Sequence, residues 1–430
     1  MISVIKRRPI SLLLVITFLL ILLIGCSNSE STAQEDEVTL EFWTINLKSS
    51  YGDYIEGLIS EYEEDNPNIK IDWVDVPGDD IEQKLISVMA GDEVPDVVNL
   101  SNYQVLSVHE GNLYPITELV DEEELDAYFP NMVESLTFDG ETKAFPWYHG
   151  GPPIGLLNTE IYEKAGLDPE QPPETWDELL ENGQVIHDSV PEVYGSNDFP
   201  SLEILMTADI EILSDDGKEA AFNTPEAVNF IEKFIDAYNS GSIAPGVAAA
   251  TEGANATNVT TYQQTFSNGL IGHNGRNGST HLNVYEDTAP EVFDNLKVFP
   301  AVTDNGELAR TNMFSFAVPQ QSEHPEKAGD FALFFTNAEN QLEFSKVAPV
   351  FPSTKESLED PYFTENEGDT IYDEARRIQI ETMDQLTINN VIQDLRNQYR
   401  REISAVMLGE KSVEQALSDA EEYWNEELSD

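Results

Sequence analysis

The sequence predicts an α/β fold with a largely parallel sheet, and three observations predict it. Short β-branched and aromatic runs alternate with amphipathic helical stretches from residue 38 onward. The hydrophobic fraction, 40%, is that of a globular chain. About 400 residues follow an N-terminal leader, enough for two domains with their own cores.

Val38-Thr39-Leu40-Glu41-Phe42-Trp43 predicts the first strand. A helix over roughly 51–66 follows, with Tyr54, Ile55, Leu58, Ile59 and Tyr62 on one face, and Pro67 stops it. Residues 69–74 alternate as a strand, a second helix is expected over about 80–90, and 95–100 reads as a buried strand. After Phe145 the grammar resumes with strand Ile154–Asn158 and a short helix Thr159–Ala165. Another helix opens near Trp176, where Thr175 is placed to cap the N–H of Glu178. Residues 198–278 read as mostly helical. Leu296–Pro300 and 314–318 are strands; helices are expected over Pro325–Thr336, over 338–346 and over most of the chain from Tyr372 to the end.

The first residues bear on the compartment. Lys6, Arg7 and Arg8 precede an apolar run from Ile10 to Ile24 that only Ser11 and Thr17 interrupt. That run is shorter than the roughly 20 apolar residues a spanning helix needs, and it has the charge-then-apolar order of a secretory signal. It ends at Leu23-Ile24-Gly25-Cys26, which resembles the bacterial lipobox, and Cys26 is the only cysteine of the chain. Residues 1–25 are therefore expected to be a lipoprotein signal peptide; an uncleaved signal anchor is the alternative. Cys26 would carry lipid, and polar residues 26–36 would form a tether with nothing to bury.

Acidic residues dominate the charge: 81 Asp plus Glu stand against 22 Lys plus Arg, a net charge of −59. Such a surface repels nucleic acid and anionic headgroups, so neither is expected as a partner. The acids spread along the whole length and read as a solvated surface suited to salty or alkaline surroundings, with calcium capture as a weaker alternative.

Several motifs then recur in a telling order. They begin with Phe42-Trp43-Thr44, the helix–Pro–strand step from Glu61 to Ile71, and Gly91-Asp92-Glu93-Val94-Pro95-Asp96-Val97-Val98. Phe145-Pro146, Leu156-Leu157-Asn158, Ala165-Gly166-Leu167 and Thr175-Trp176-Asp177-Glu178-Leu179 follow. Late markers are Pro325-Glu326-Lys327-Ala328, Phe351-Pro352-Ser353-Thr354-Lys355 and the helical run from Leu408 to Leu417. Taken together behind a lipobox, they resemble the family 1 extracellular solute-binding proteins, the group that includes maltose-binding protein.

The resemblance implies a two-lobed periplasmic-binding-protein-like fold with a hinge and an interlobe ligand cleft. By that analogy residues 37–145 plus 303–337 form one lobe and 150–297 plus 338–430 the other, with crossings at 146–149 and 298–302. It further implies a monomeric binding lipoprotein at the cell membrane, facing the extracellular side or a periplasm. Such a protein captures a small solute, a sugar or oligosaccharide, by hinge closure and delivers it to the permease subunits of an ABC importer. Receptors for glycerol phosphate or another small anion, and sensory solute-binding lipoproteins, are the alternatives the family offers. No cofactor is implied.

Candidate ligand contacts lie at strand ends and at the crossings, as in open α/β sheets generally. Trp43 and Asn46 end the first strand, with Trp43 either a core or a cleft residue. Ser101, Asn102 and Tyr103 follow the strand at 95–100. Trp147, Tyr148 and His149 put three aromatic rings at the first crossing, which favours contact over packing. Asn274, Arg276 and Asn277 belong to a polar glycine-containing cluster. Arg276 could clamp a carboxylate or phosphate, or pair with a surface acid. Phe314 and Phe351 could line the cleft, although their segments also need core residues.

Catalysis has little support: beyond Cys26 there is no cysteine nucleophile, and there is no Gly-x-Ser-x-Gly elbow, no Walker loop and no metal-spaced histidine cluster. Close carboxylate pairs are unavoidable among 81 acids and nominate nothing. The charge makes one prediction: the melting temperature should rise steeply across a salt series as carboxylate repulsion is screened, and a flat series would refute the reading.

Overall fold

The computed structural model describes residues 37–429 except 79, 90, 92–93, 215–216, 249–263, 311–312, 349, 366–369 and 389–390. Cys26, the leader and the tether lie outside the described residues. Strands β1 (Val38–Ile45), β2 (Ile69–Val76) and β3 (Val97–Ser101) open the fold, and a small hairpin, β4 (Thr137–Phe138) and β5 (Glu141–Thr142), precedes β6 (Phe145–His149). Next come β7 (Ile154–Asn158), β8 (Tyr194–Ser196), β9 (Ile271–Asn277) and β10 (Leu296–Pro300). The late strands are β11 (Leu308–Arg310), β12 (Met313–Ala317), β13 (Phe351–Pro352) and β14 (Leu386–Ile388).

Two sheets organise these strands. The larger has the order β13-β6-β12-β3-β1-β2 and the smaller the order β10-β7-β9-β8, while β11 and β14 pair separately. In the large sheet β1 runs parallel to both β2 and β3, and β12 enters antiparallel between β3 and β6. Alternate residues point to opposite faces. Leu40, Phe42 and Val97 therefore join one core, and Trp43, Val98 and Leu100 join another. The smaller sheet does the same with Leu157 and Phe299 against Ile154, Leu156 and Val298.

The helices follow the amphipathic reading closely. Lys48–Asp65 buries Ile55, Leu58 and Tyr62, and Asp75 accepts the Leu47 and Lys48 N–H groups at 2.9 and 3.0 Å, which satisfies donors at its start. Thr175 caps Trp176–Ser189 as expected, its hydroxyl accepting from Glu178 N at 3.2 Å.

Three expectations need correction. Residues 198–278 contain helices Leu202–Met206 and Pro225–Ser240, but 271–277 is strand β9, at the centre of the smaller sheet. Ile271-Gly272-His273-Asn274-Gly275-Arg276-Asn277 hides its strand character because glycine stands where a side chain would collide. A Cβ on Gly275 would lie 2.6 Å from Leu179 Cδ1, so the helix Trp176–Ser189 packs directly on the strand backbone. The C-terminal run is likewise not all helix, since β14 separates Ile371–Glu381 from Gln393–Met407 and Val413–Glu427.

The crossings also move. Residues 145–149 are β6 of the large sheet and 296–300 are β10 of the small one, so the chain changes sides at 150–153 and again between Pro300 and Met313. Residue 338 does not start a return to the second side. Phe344 and Ala348 sit in the first sheet's core, β13 is its edge strand, and Phe363 packs there as well. Only then do Ala375 and Ile378 pack under the small sheet, Met383 and Leu386 under the large one, and Val391 and Leu395 under the small one.

Trp147 anchors the large sheet. It is 1% exposed, with the Phe344 ring stacked at 4.8 Å and the Phe316 ring at 4.6 Å. Trp147→Ala should therefore cost about 3–5 kcal/mol through the cavity it opens. Urea unfolding would check this, and a loss below 1 kcal/mol would remove the residue from the core.

Candidate ligand-binding cleft

Strand direction decides where the candidate residues gather. Because β12 is antiparallel to both β3 and β6, those two run parallel to each other and to β1. Their C-terminal ends, at Asn46, Ser101 and His149, therefore share one edge with Phe314 at the start of β12. In the smaller sheet β8 is parallel to β9, and β9 and β10 are both antiparallel to β7. Residues 196–198, 274–277 and Pro300 thus come to one end, together with the start of β7. Segment 150–153 and the chain between Pro300 and Met313 join those two ends, so the ends face each other.

On the first side, Tyr148 and Phe314 form a half-buried stacked pair, ring centroids 4.9 Å apart and 25° between planes. They oppose each other across β6 and β12, and Phe314 faces Ser101 across β3. Burial pushes the Tyr148 phenol up, so it stays a neutral donor. Ser101 and Gln104 form a capping box at the start of Asn102–Val108, and Asn102 Oδ1 accepts from Met313 N at 3.1 Å. Tyr103 is half-buried beside them, and Asn46 is exposed with a left-handed φ of 52°.

Four expected contacts are placed elsewhere. Trp147 is a core residue, as described above. Trp43 is 2% exposed, donates to Glu41 Oε1 at 2.5 Å and carries Lys84 Nζ 3.8 Å above its ring. His149 is fully buried, its Nδ1 accepting from Gly151 N at 3.1 Å. Phe351 packs against Phe363 and would collide with any side chain at Gly151, whose φ is +73°. Trp43 and Trp147 thus serve the cores of the large sheet, and His149 and Phe351 pack against Gly151 at the first crossing.

On the second side, the three predicted residues come together in one network. Asn274 donates to Asn197 Oδ1 at 3.0 Å and to Asp198 Oδ1 at 2.9 Å, and its own Oδ1 accepts from Asn277 at 2.7 Å. Asn277 also bonds His281. Arg276 is half-buried and donates to the carbonyl of Ala309 in β11, a direct bond from the small sheet to the second crossing.

Sequence reasoning missed the acids that organise this network. Asp198 follows β8, accepts from Ser196 Oγ at 2.6 Å and from Gly275 N at 3.0 Å, and is 3% exposed. Burial raises its carboxyl to about 6, against the opposing pull of Ser196, Gly275 and Arg276. Glu203, in Leu202–Met206, pairs with Arg396 at 2.6 Å. Burial opposes its ionisation, but attraction to Arg396 and then Arg276 prevails and holds it at about 2. The visible signal was the Ser-Asn-Asp run at 196–198, a short polar strand end of the type that favours local side-chain bonds.

Two opposed strand-end surfaces, one aromatic and one polar, define a solute-binding protein of the two-lobed kind. The chain belongs to the bacterial extracellular solute-binding protein family, whose model matches residues 57–368. It is a binding protein and not an enzyme. It is 22% identical over 353 residues to the arabinooligosaccharide-binding protein of Bacillus subtilis, covering 78% of this chain and 77% of that one. Among solved structures, a protein classed as an oligosaccharide periplasmic-binding protein from Synechococcus sp. MITs9220 matches with TM-score 0.78 at 25% identity, over 91% of this chain and 99% of that one. The sugar-binding protein MalE of Xanthomonas citri has the same fold, with TM-score 0.74 at 18% identity over 91% and 97%. No helix among the described residues is long and apolar enough to cross a membrane.

Asp198 generates a pH prediction. Its folded value, about 6, lies above the ordinary 3.8, so its contribution to stability is greatest below pH 3.8 and falls as pH rises through 6. The loss is about 3 kcal/mol, at about 1.4 kcal/mol per pH unit. Asp198→Asn should therefore gain stability relative to the parent between pH 4 and 7. Parallel urea curves at every pH would show that the group does not titrate there.

Proposed function

We propose that this protein captures a sugar or oligosaccharide between its two lobes and hands it to the permease of an ABC importer. Cys26 lipid would hold it at the outer face of the membrane. The observation that carries the reading is the stacked, half-buried Tyr148–Phe314 pair, set on one strand-end surface opposite the polar strand ends of the small sheet, where buried Asn274 and Asn277 brace the segment that carries half-buried Arg276. Aromatic faces suit the C–H side of a sugar ring, and polar groups at the facing strand ends suit its hydroxyls.

The names of relatives support the sugar class. They include the arabinooligosaccharide-binding protein and a fructooligosaccharide ABC transporter substrate-binding protein of Streptococcus pneumoniae, the latter 24% identical over 38% of this chain and 34% of that one. Tyr103 would add a contact beyond the end of β3, where buried Ser101 and Asn102 fix the backbone, and exposed Asn46 one from the end of β1. A monomer suffices, because both surfaces come from one chain.

A thermal-shift screen of the mature protein against mono- and oligosaccharides tests the proposal, since a bound ligand raises the melting temperature by mass action. Tyr148→Ala and Phe314→Ala should each weaken the sugar that shifts it about tenfold, roughly 1.4 kcal/mol. Unchanged affinity in both would take the pair out of the site. In cells, fatty-acid labelling should be lost in Cys26→Ser.

A further inference from the structure

Two tyrosines of one helix lean on the same ring and use their hydroxyls differently. Phe344 meets Tyr51 and Tyr54 of the helix Lys48–Asp65, with ring centroids 5.4 and 5.5 Å away. Tyr54 donates its hydroxyl to Asn340 O at 2.7 Å, the ordinary arrangement of a tyrosine that serves packing. The Tyr51 hydroxyl has no hydrogen-bond partner among the described residues, and neither has that of Tyr148, whose ring lies 5.3 Å from the same Phe344. Phenylalanine would serve the packing at both places equally well. Both residues are half-buried, so what meets their oxygens comes from outside the core.

Their place in the fold says what lies outside. β1 brings the chain to the cleft edge at Asn46, and the helix starts there at Lys48 and is kinked at Tyr51, where φ is −128°. Tyr148 reaches the same edge at the end of β6. Burial raises the Tyr148 pKa and the Tyr51 phenol adds to the rise, so the two side chains are near neighbours and both stay protonated donors. Beside them the aromatic stack ends. Phe314 has Tyr148 against one face, and no ring among the described residues stands against the other. Across β3 its neighbour is Ser101, a small side chain turned into the capping box with Gln104. A large ring beside a small residue leaves a step, and two phenol oxygens stand close to it.

We propose that Tyr51 is a specificity-determining contact of this receptor, its hydroxyl and that of Tyr148 together holding one hydroxyl of a sugar ring stacked on the outer face of Phe314. This deepens the receptor reading above and rests on it. Tyr51 then acts as a filter, because a site that hydrogen-bonds a ligand hydroxyl rejects ligands that lack it.

Calorimetric titration of the full chain in detergent tests the proposal, with arabinotriose, kestose, maltotriose and any sugar that shifts the melting temperature in the screen above. Y51F keeps the ring on Phe344 and removes only the oxygen. It should leave the melting temperature unchanged and weaken the bound sugar about fivefold. Y148F should act in the same direction, and the double variant should lose less than the two single losses combined, since both hydroxyls serve one oxygen. Y54F should do the reverse of Y51F, lowering the melting temperature and leaving sugar affinity as it is. Unchanged affinity in Y51F overturns the proposal and leaves the receptor standing. A parent protein that binds none of these sugars overturns the receptor reading itself.

Discussion

One constraint of chain order governs the molecule: β12, residues 313–317, fills the gap between β3 and β6 in the large sheet. Those neighbours are complete by residue 149, so the sheet stays in two parts until the chain has built the smaller sheet and returned. The small sheet is in effect a long insertion whose ends are pinned to adjacent strands. Both crossings must then leave from the same edge of the large sheet, and the strand ends that carry Tyr148, Phe314 and Ser101 necessarily look at those carrying Asn274 and Arg276. The cleft follows from the threading order, before any residue in it is chosen. Pairing of this kind joins residues far apart in sequence and gives slow folding for physical reasons.

Much of the large sheet was legible because its strands are short runs of β-branched and aromatic residues with polar neighbours at turns. The first strand, the Pro67 stop, the Thr175 cap and β7 all announce themselves locally. What escaped was decided by partners far away in sequence. Nothing near Trp147 says that Phe344, from the helix Ala338–Val347, will cover it, so a tryptophan at a crossing read as a ligand contact. β9 escaped because its glycines answer to Leu179 and Ile186 on a helix that crosses it, and its asparagines answer to Asn197 and Asp198. Composition reads such a strand as a loop. The site residues were recoverable where strand ends were recoverable, as at Ser101 and Asn102, and the acids beneath Arg276 were lost among so many others.

The acids separate into two populations with different physics. Most are exposed, and a few of these, such as Glu160 and Glu170, pair with lysines at 2.8 and 2.5 Å in contacts worth little in water. Asp198 and Glu203 are buried, and each is held by specific donors. Their carboxyls move in opposite directions, one to about 6 and the other to about 2, although they neighbour the same arginine. Asp198 is surrounded by neutral donors and feels burial most; Glu203 has a guanidinium in direct contact. Local geometry, not net charge, sets the potential in the cleft.

The repeated exchange of the C-terminal chain between the two cores has a mechanical meaning. After the first two crossings, residues from Phe363 to Leu395 change sides three more times, and Gln379 donates to the carbonyls of Gly150 and Pro152 within the first crossing. A single connecting strand would act as a swivel, free to twist as well as bend. Several links between the same two cores resist torsion and sliding better than one would. The two halves are thereby held nearer to one degree of freedom, like a door on several butts. Their faces can part and return, and each return brings the same residues opposite one another.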